Sequence, residues 1–233
     1  MTEETGTAQN GQPNPVLRKG RLRYARSGRG LEFDRVANFS DAVYAIALTL
    51  IAVELHPPAL QVGSSPTELL HELGGMSDQI IIFFVVFALT GSYWLANHRF
   101  VAGLRGINTS YVSWMLPYLA GVAFLPFPAA LMGHYFENPV AVSLFAVNMA
   151  VVSFLEWVLL RQVHADDLFL QPLSPAGYRW ASLGALASVL VFLLSIPVMW
   201  FNTVLGLLFW FLNAPIGIYL DRHAPETEGG AGG

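Results

Sequence analysis

The chain contains no cysteine, which excludes disulfide staples, thiol nucleophiles and cysteine-based metal sites. Charge is scarce as well. Asp, Glu, Lys and Arg make up 12% of the residues, against roughly 25% in soluble domains. No TVGYG stretch occurs, so the backbone-carbonyl filter that such a stretch builds is excluded. No G-x-x-x-x-G-K-[ST] occurs, and with it goes a P-loop motor. The nearest approach to a zinc-protease H-E-x-x-H is His71-Glu72, and Leu73-Gly74-Gly75 follows it. There is no Gly-rich dinucleotide fingerprint, no nucleic-acid motif and no Arg-rich voltage-sensing helix. Met1 to Arg29 lacks an apolar run, so no cleavable signal peptide is expected.

What the chain has in quantity is apolar side chains, 54% of its residues, with a mean hydropathy of +0.50. They gather into six segments: Arg35–His56, Asp78–Asn97, Ile107–Met132, Pro139–Leu160, Tyr178–Trp200 and Asn202–Leu220. Each approaches the ~20 residues that a helix needs to cross the hydrocarbon core. The first is expected to end before Pro57-Pro58. Pro126 and Pro128 are expected to bend or end the third, and PTELLHEL in the first loop to form a short surface helix. Gly184 and Ser188 give the fifth a small-xxx-small patch for close packing. Residues 1–30 are polar and basic and 222–233 are Gly-rich and polar, so both ends are expected to be disordered tails around a six-helix domain over residues 31–221.

Positive charge divides these segments by side. Of the 12 Lys and Arg, Arg18, Lys19, Arg21, Arg23, Arg26, Arg29 and Arg35 precede or open the first segment. Arg99 and Arg105 follow the second, Arg161 and Arg179 flank the loop after the fourth, and Arg222 follows the sixth. The three loops on the opposite side have none. By the positive-inside rule both termini are cytoplasmic, and the other face, with Glu54, Glu68, Glu72, Asp78 and Glu137, is acidic. The basic cluster beside the membrane can touch anionic headgroups or act only as the topology signal.

The first segment carries more than an anchor needs. On a helical wheel at ~100° per residue, Phe39, Ala42, Ile46, Thr49, Leu50 and Val53 share a stripe ~100° wide, and Asp41 lies off it. Read from the wheel alone, that stripe can face lipid, a neighbouring helix or a pore. An intramembrane carboxylate needs partners. The topology puts Arg35, Ser40, Asp41, Asn97, His98, Asn108 and Glu156 toward the cytoplasmic side, where they are expected to form one hydrogen-bonded network with Arg35 and His98 beside Asp41. That network is either architectural or part of a gate. Glu54, at the outer end of the helix, is either a charge at a pore mouth that concentrates cations or a lone interfacial carboxylate.

The string R-x-x-x-F-S-D formed by Arg35, Phe39, Ser40 and Asp41, followed by AVYAIALTLIAVEL, resembles the transmembrane protein 175 family, the lysosomal potassium channels of animals and their bacterial relatives. The resemblance implies an all-α integral membrane protein that conducts potassium passively through a pore lined by the first helix. It implies that Ile46 is the constriction, continued by Leu50 and Val53, that Thr49 is the hydroxyl ring linked to potassium preference, and that Arg35, Phe39, Ser40 and Asp41 brace the pore helix. Animal relatives carry two six-helix repeats and pair up, so this single repeat implies a homotetramer in a prokaryotic plasma membrane. No catalysis, cofactor or bound metal is expected, with K+ only as permeant ion, and the expected partners are lipid and further copies of the chain, not nucleic acid. Two other classes stay open at this stage. A secondary transporter would be proton-coupled through Asp41 or Glu156, although no inverted repeat is visible. A membrane metalloenzyme would use His98, Asp41 and Glu156, whose spacing matches no known site.

Overall fold

The computed structural model describes residues 23–25, 30–60 and 63–223. The chain forms β1 (Arg23–Ala25), α1 (Gly30–Val53), α2 (Pro66–Gly75), α3 (Ser77–Ala102), β2 (Gly106–Asn108), α4 (Thr109–Phe124), α5 (Pro126–His134), α6 (Pro139–Ala165), α7 (Pro175–Phe201), α8 (Thr203–Trp210) and α9 (Asn213–His223). Six helical stretches are long and apolar enough to cross a membrane. Four of them are single helices, α1, α3, α6 and α7. The third is α4 continued by α5, and the sixth is α8 continued by α9.

Local chemistry accounts for the boundaries. α2, α6 and α7 each open with proline in the first turn, behind Ser65, Asn138 and Ser174 as caps. Proline there gives up an amide that has no intrahelical partner anyway. At α2 the cap is reciprocal: Ser65 accepts from the Glu68 amide while the Glu68 carboxylate accepts from the Ser65 amide. α1 begins five residues before the expected Arg35 and stops at Val53, short of the expected His56, because a residue before proline is pushed out of the helical region. The third span breaks at Leu125, and Pro126 starts α5. Pro117 and Pro197 stay inside α4 and α7, as membrane helices allow when neighbours re-satisfy the freed carbonyl.

The core lies where α4 and α6 face α1, α3 and α7. Tyr44, Tyr118, Phe145, Phe192 and Met149 are among its fully buried side chains. Close approach of α4 and α6 depends on Gly121, where an added Cβ would stand 2.9 Å from Val152 Cγ2. Beside it, the Asn148 amide donates to the Gly121 carbonyl at 3.1 Å. The turn between α7 and α8 is tighter still, with Met199 Cγ 2.2 Å from the place a Gly206 Cβ would take.

A polar clasp closes the end of the bundle where α3 meets α4. The Arg105 amide donates to the Leu168 carbonyl at 2.9 Å, and the Leu170 amide to the Gly103 carbonyl at 2.9 Å. Arg105 and Asp167 form an ion pair, and Asn108 and Gln162 both donate to Asp166. Arg23–Ala25, within the stretch expected to be disordered, pairs antiparallel with Gly106–Asn108 of this clasp. Arg18, Lys19, Arg21, Arg26 and Arg29 lie outside the described residues, as do residues 224–233; α9 carries order to His223.

Candidate functional site

α1 has two unlike faces. Ser40, Tyr44, Ala47 and Ile51 recur at helical spacing and are buried, Tyr44 at 0%, Ala47 at 1% and Ile51 at 4% exposure. They pack the helix against α3, α4 and α5. The opposite stripe is uncovered: Phe39 is 53% exposed, Ile46 59%, Leu50 43% and Val53 66%, and Arg35, Ala42 and Thr49 are exposed in line with them. The wheel stripe is therefore the face that the chain's own helices leave unpacked. Its mixture of branched apolar side chains with one hydroxyl differs from the wholly apolar exposed faces elsewhere, such as Leu190, Leu193 and Leu194 on α7.

The Thr49 hydroxyl donates to the Ile46 carbonyl at 2.8 Å. Its proton is thus committed to its own helix, and its oxygen lone pairs point outward with the exposed stripe. Glu54 borders a small cavity of about 20 Å³ between α1, α3 and α5, lined also by Gln79, Phe83 and His134.

The polar groups expected as one network fall into separate sets. The Asn97 amide donates to Ser40 Oγ at 2.8 Å in the buried interface of α1 and α3. Asp41, on the flank of α1, accepts from Trp94 Nε1 at 2.9 Å and lies 4.0 Å from His98 Nδ1. The Trp94 and His98 rings are 5.6 Å apart, so the two partners of Asp41 sit one turn apart on α3 and brace each other. Arg35 makes no ion pair with Asp41; it lies on the exposed stripe. Asn108 belongs to the clasp, where it also caps α4 by accepting from the Tyr111 amide at 2.9 Å. Glu156 belongs to none of these sets and lies near Tyr44, Tyr93 and Tyr118. Trp94 and the tyrosines are absent from the residues picked out by sequence. The signal for Trp94 was its place one turn before His98. For the tyrosines it was a phenol on an otherwise apolar buried face, which has to find a hydrogen-bond partner. Among the described residues, no three His, Asp or Glu side chains are placed to hold a metal ion.

Comparison with known proteins agrees with the resemblance carried by Arg35, Phe39, Ser40 and Asp41. A sequence model of the endosomal/lysosomal potassium channel TMEM175 family matches residues 35–126. A potassium channel of Streptomyces collinus is 28% identical over 144 residues, 58% of this chain and 68% of that one. A potassium channel of Chamaesiphon minutus is 28% identical over 144 residues, 60% of this chain and 70% of that one. A potassium channel of Chryseobacterium is 24% identical over 197 residues, 83% of this chain and 96% of that one. Among solved structures, that of a lysosomal potassium-selective channel TMEM175 homolog from Chamaesiphon minutus superposes with a TM-score of 0.69 at 21% identity, covering 82% of this chain and 99% of that one. The similarity to the TMEM175 family thus extends from the first helix to the fold.

Proposed function

We propose that this chain, similar to the TMEM175 channels in its first three spans and in its fold, is the subunit of a potassium-selective cation channel. One observation carries the reading: the uncovered stripe of α1 from Phe39 to Val53, on a helix whose other face is held by its own subunit. A path lined by that stripe has to be assembled from several copies, since the stripe faces away from the bundle. Four copies around a central axis, with both termini cytoplasmic, satisfy the single six-helix repeat and the distribution of Lys and Arg.

In that arrangement Ile46, Leu50 and Val53 supply rings of branched apolar side chains, which gate by excluding water. Thr49 supplies a ring of oxygens within the same row. Potassium sheds water more easily than sodium, so a narrow path with weak oxygen ligands favours potassium, by less than a full carbonyl cage does. Glu54, at the outer end, adds negative charge near the entrance and raises the local cation concentration. Ser40 with Asn97, and Asp41 with Trp94 and His98, hold α1 at its angle to α3. Phe39 continues the stripe at the cytoplasmic end, beside Arg35. The membrane is the prokaryotic plasma membrane, and the activity is conduction rather than catalysis.

The test is ion flux from proteoliposomes holding the purified chain. Potassium efflux that depends on the protein and exceeds sodium efflux is the expected result. Flux only in the presence of a proton gradient or a second substrate would replace this reading with a carrier acting through Asp41 and Glu156.

A further inference from the structure

The buried side of α1 carries a polar group that the pore reading does not use. The Tyr44 hydroxyl meets the Tyr118 hydroxyl of α4 at 2.5 Å, with both rings fully buried. Nearby, the Tyr93 hydroxyl of α3 is 2.5 Å from Ser153 Oγ on α6. Ser153 donates its own proton to the Met149 carbonyl at 2.9 Å, so Tyr93 is the donor in that pair. Ser188 of α7 adjoins Tyr93 as a further hydroxyl. The tyrosine pair holds two hydroxyl protons and has one bond between them, so the second proton needs another acceptor. Glu156 of α6 lies near the three tyrosine hydroxyls.

The position of Tyr44 gives this cluster leverage. It precedes Ile46 by two residues and lies ~160° around the helix from it. Of the other back-face residues, Ser40 accepts from Asn97 more than a turn before Ile46, whereas Ala47 and Ile51, level with Ile46 and beyond it, are apolar, and apolar packing tolerates small rotations. A hydroxyl–hydroxyl bond is directional and does not. With side-chain tips ~5 Å from the helix axis, a turn of ~20° moves them by ~2 Å, comparable to an ion's radius.

We propose that the Tyr44–Tyr118 hydrogen bond fixes the rotation of α1 about its own axis, and so sets how Ile46 and Thr49 are presented to the ion path. Tyr44 and Tyr118 are positioning residues that touch no ion. This rests on the pore reading for its consequence, though not for its geometry.

The absence of cysteine allows a direct test. Single cysteines at Ala45, Ile46 and Thr49 are reacted with a water-soluble methanethiosulfonate in proteoliposomes, in the parent chain and with Tyr44→Phe. The expected result is a change of at least threefold in the ratio of reaction rates at positions 45 and 46, with a parallel change in the potassium-to-sodium permeability ratio. Tyr118→Phe produces the same shift, and the double variant does no more than either single one, as a shared bond requires. Unchanged rate ratios in both tyrosine variants, or additive effects in the double, overturn the proposal. If neither phenylalanine variant folds, Tyr118→His, which keeps a polar ring but changes the reach of the bond to Tyr44, carries the test: shifted rate ratios support the proposal and parent-like rates overturn it. Selective conduction with unmoved rates rejects this positioning alone. Moved rates in a protein that conducts nothing reject the channel reading and leave the positioning standing.

Discussion

Thr49 makes one hydrogen bond, to the Ile46 carbonyl of its own helix, and that bond decides what the residue offers to an ion. A hydroxyl whose proton is occupied presents oxygen, the polarity a cation needs. Thr49→Ala removes the oxygen and leaves the helix intact. If the ring contributes ~1 kcal/mol of preference, the potassium-to-sodium permeability ratio falls about fivefold, read as a shift in reversal potential under mixed-ion conditions. In the proposed pore Ile46, one turn away, works by refusing water. Ile46→Asn makes the narrowest ring wettable and raises basal potassium flux; flux at or below the parent level would remove Ile46 from the constriction. That the two share one stripe follows from a 3.6-residue period without any tertiary information; the roles proposed for them come from the family resemblance. The partner of Asp41 was not legible in this way. His98 was found through its charge, whereas Trp94, which donates to Asp41, carries no charge and looks like any other apolar residue of the second span. Arg35 illustrates the opposite error: opposite charges ~9 Å apart along one helix suggest a pair, but the six-residue spacing puts them on different faces, and the side chains do not meet.

At the scale of elements, the spans were legible because a bilayer imposes both a length and a composition. Their interruptions were only half legible. Pro126 announces the break after Leu125 because proline is at home in a first helical turn. The break between α8 and α9 has a subtler origin. α8 ends at Trp210, whose indole donates to the buried Ser195 hydroxyl at 2.9 Å, and that tie spans sequence positions no local pattern connects. The same holds for the ladder between β1 and β2, whose three residue pairs join the segment before α1 to the loop after α3. Helix-on-helix distance, by contrast, can be tested one residue at a time. Gly121→Ala pushes a methyl to within 2.9 Å of Val152 Cγ2 and strains the carbonyl that holds Asn148. A cost of about 1–3 kcal/mol is expected from such overpacking, seen as a lower unfolding midpoint in detergent. The ion preference of the folded fraction is expected to stay unchanged, because the α4–α6 seam lies away from the exposed stripe of α1.

The whole molecule raises a question that neither residues nor elements answer alone: what covers α1. Asp41 and His98 are about half exposed in one subunit, and Arg35 and Thr49 are exposed beside the apolar stripe. Ionisable and polar groups facing lipid at membrane depth are costly, so water or protein has to lie against them. A ring of copies supplies both, water at the axis and protein at the flanks, by repeating one heterologous contact until it closes. A pair of copies would leave part of each stripe in lipid and would line a path with only two thin helices. The expected particle therefore has a protein mass about four times the 25.5 kDa subunit, measured by light scattering after subtraction of detergent. Replacing the half-exposed Asp41 by Asn should weaken the grip of α3 on α1, since Trp94 then donates to a neutral acceptor and charge-assisted bonds are the stronger kind. Particles of fewer than four copies should become more populated on dilution. A monomer that stays monomeric at every concentration, yet conducts potassium selectively, would mean that the path runs through a single bundle, and the role assigned to the exposed stripe of α1 would have to be given up.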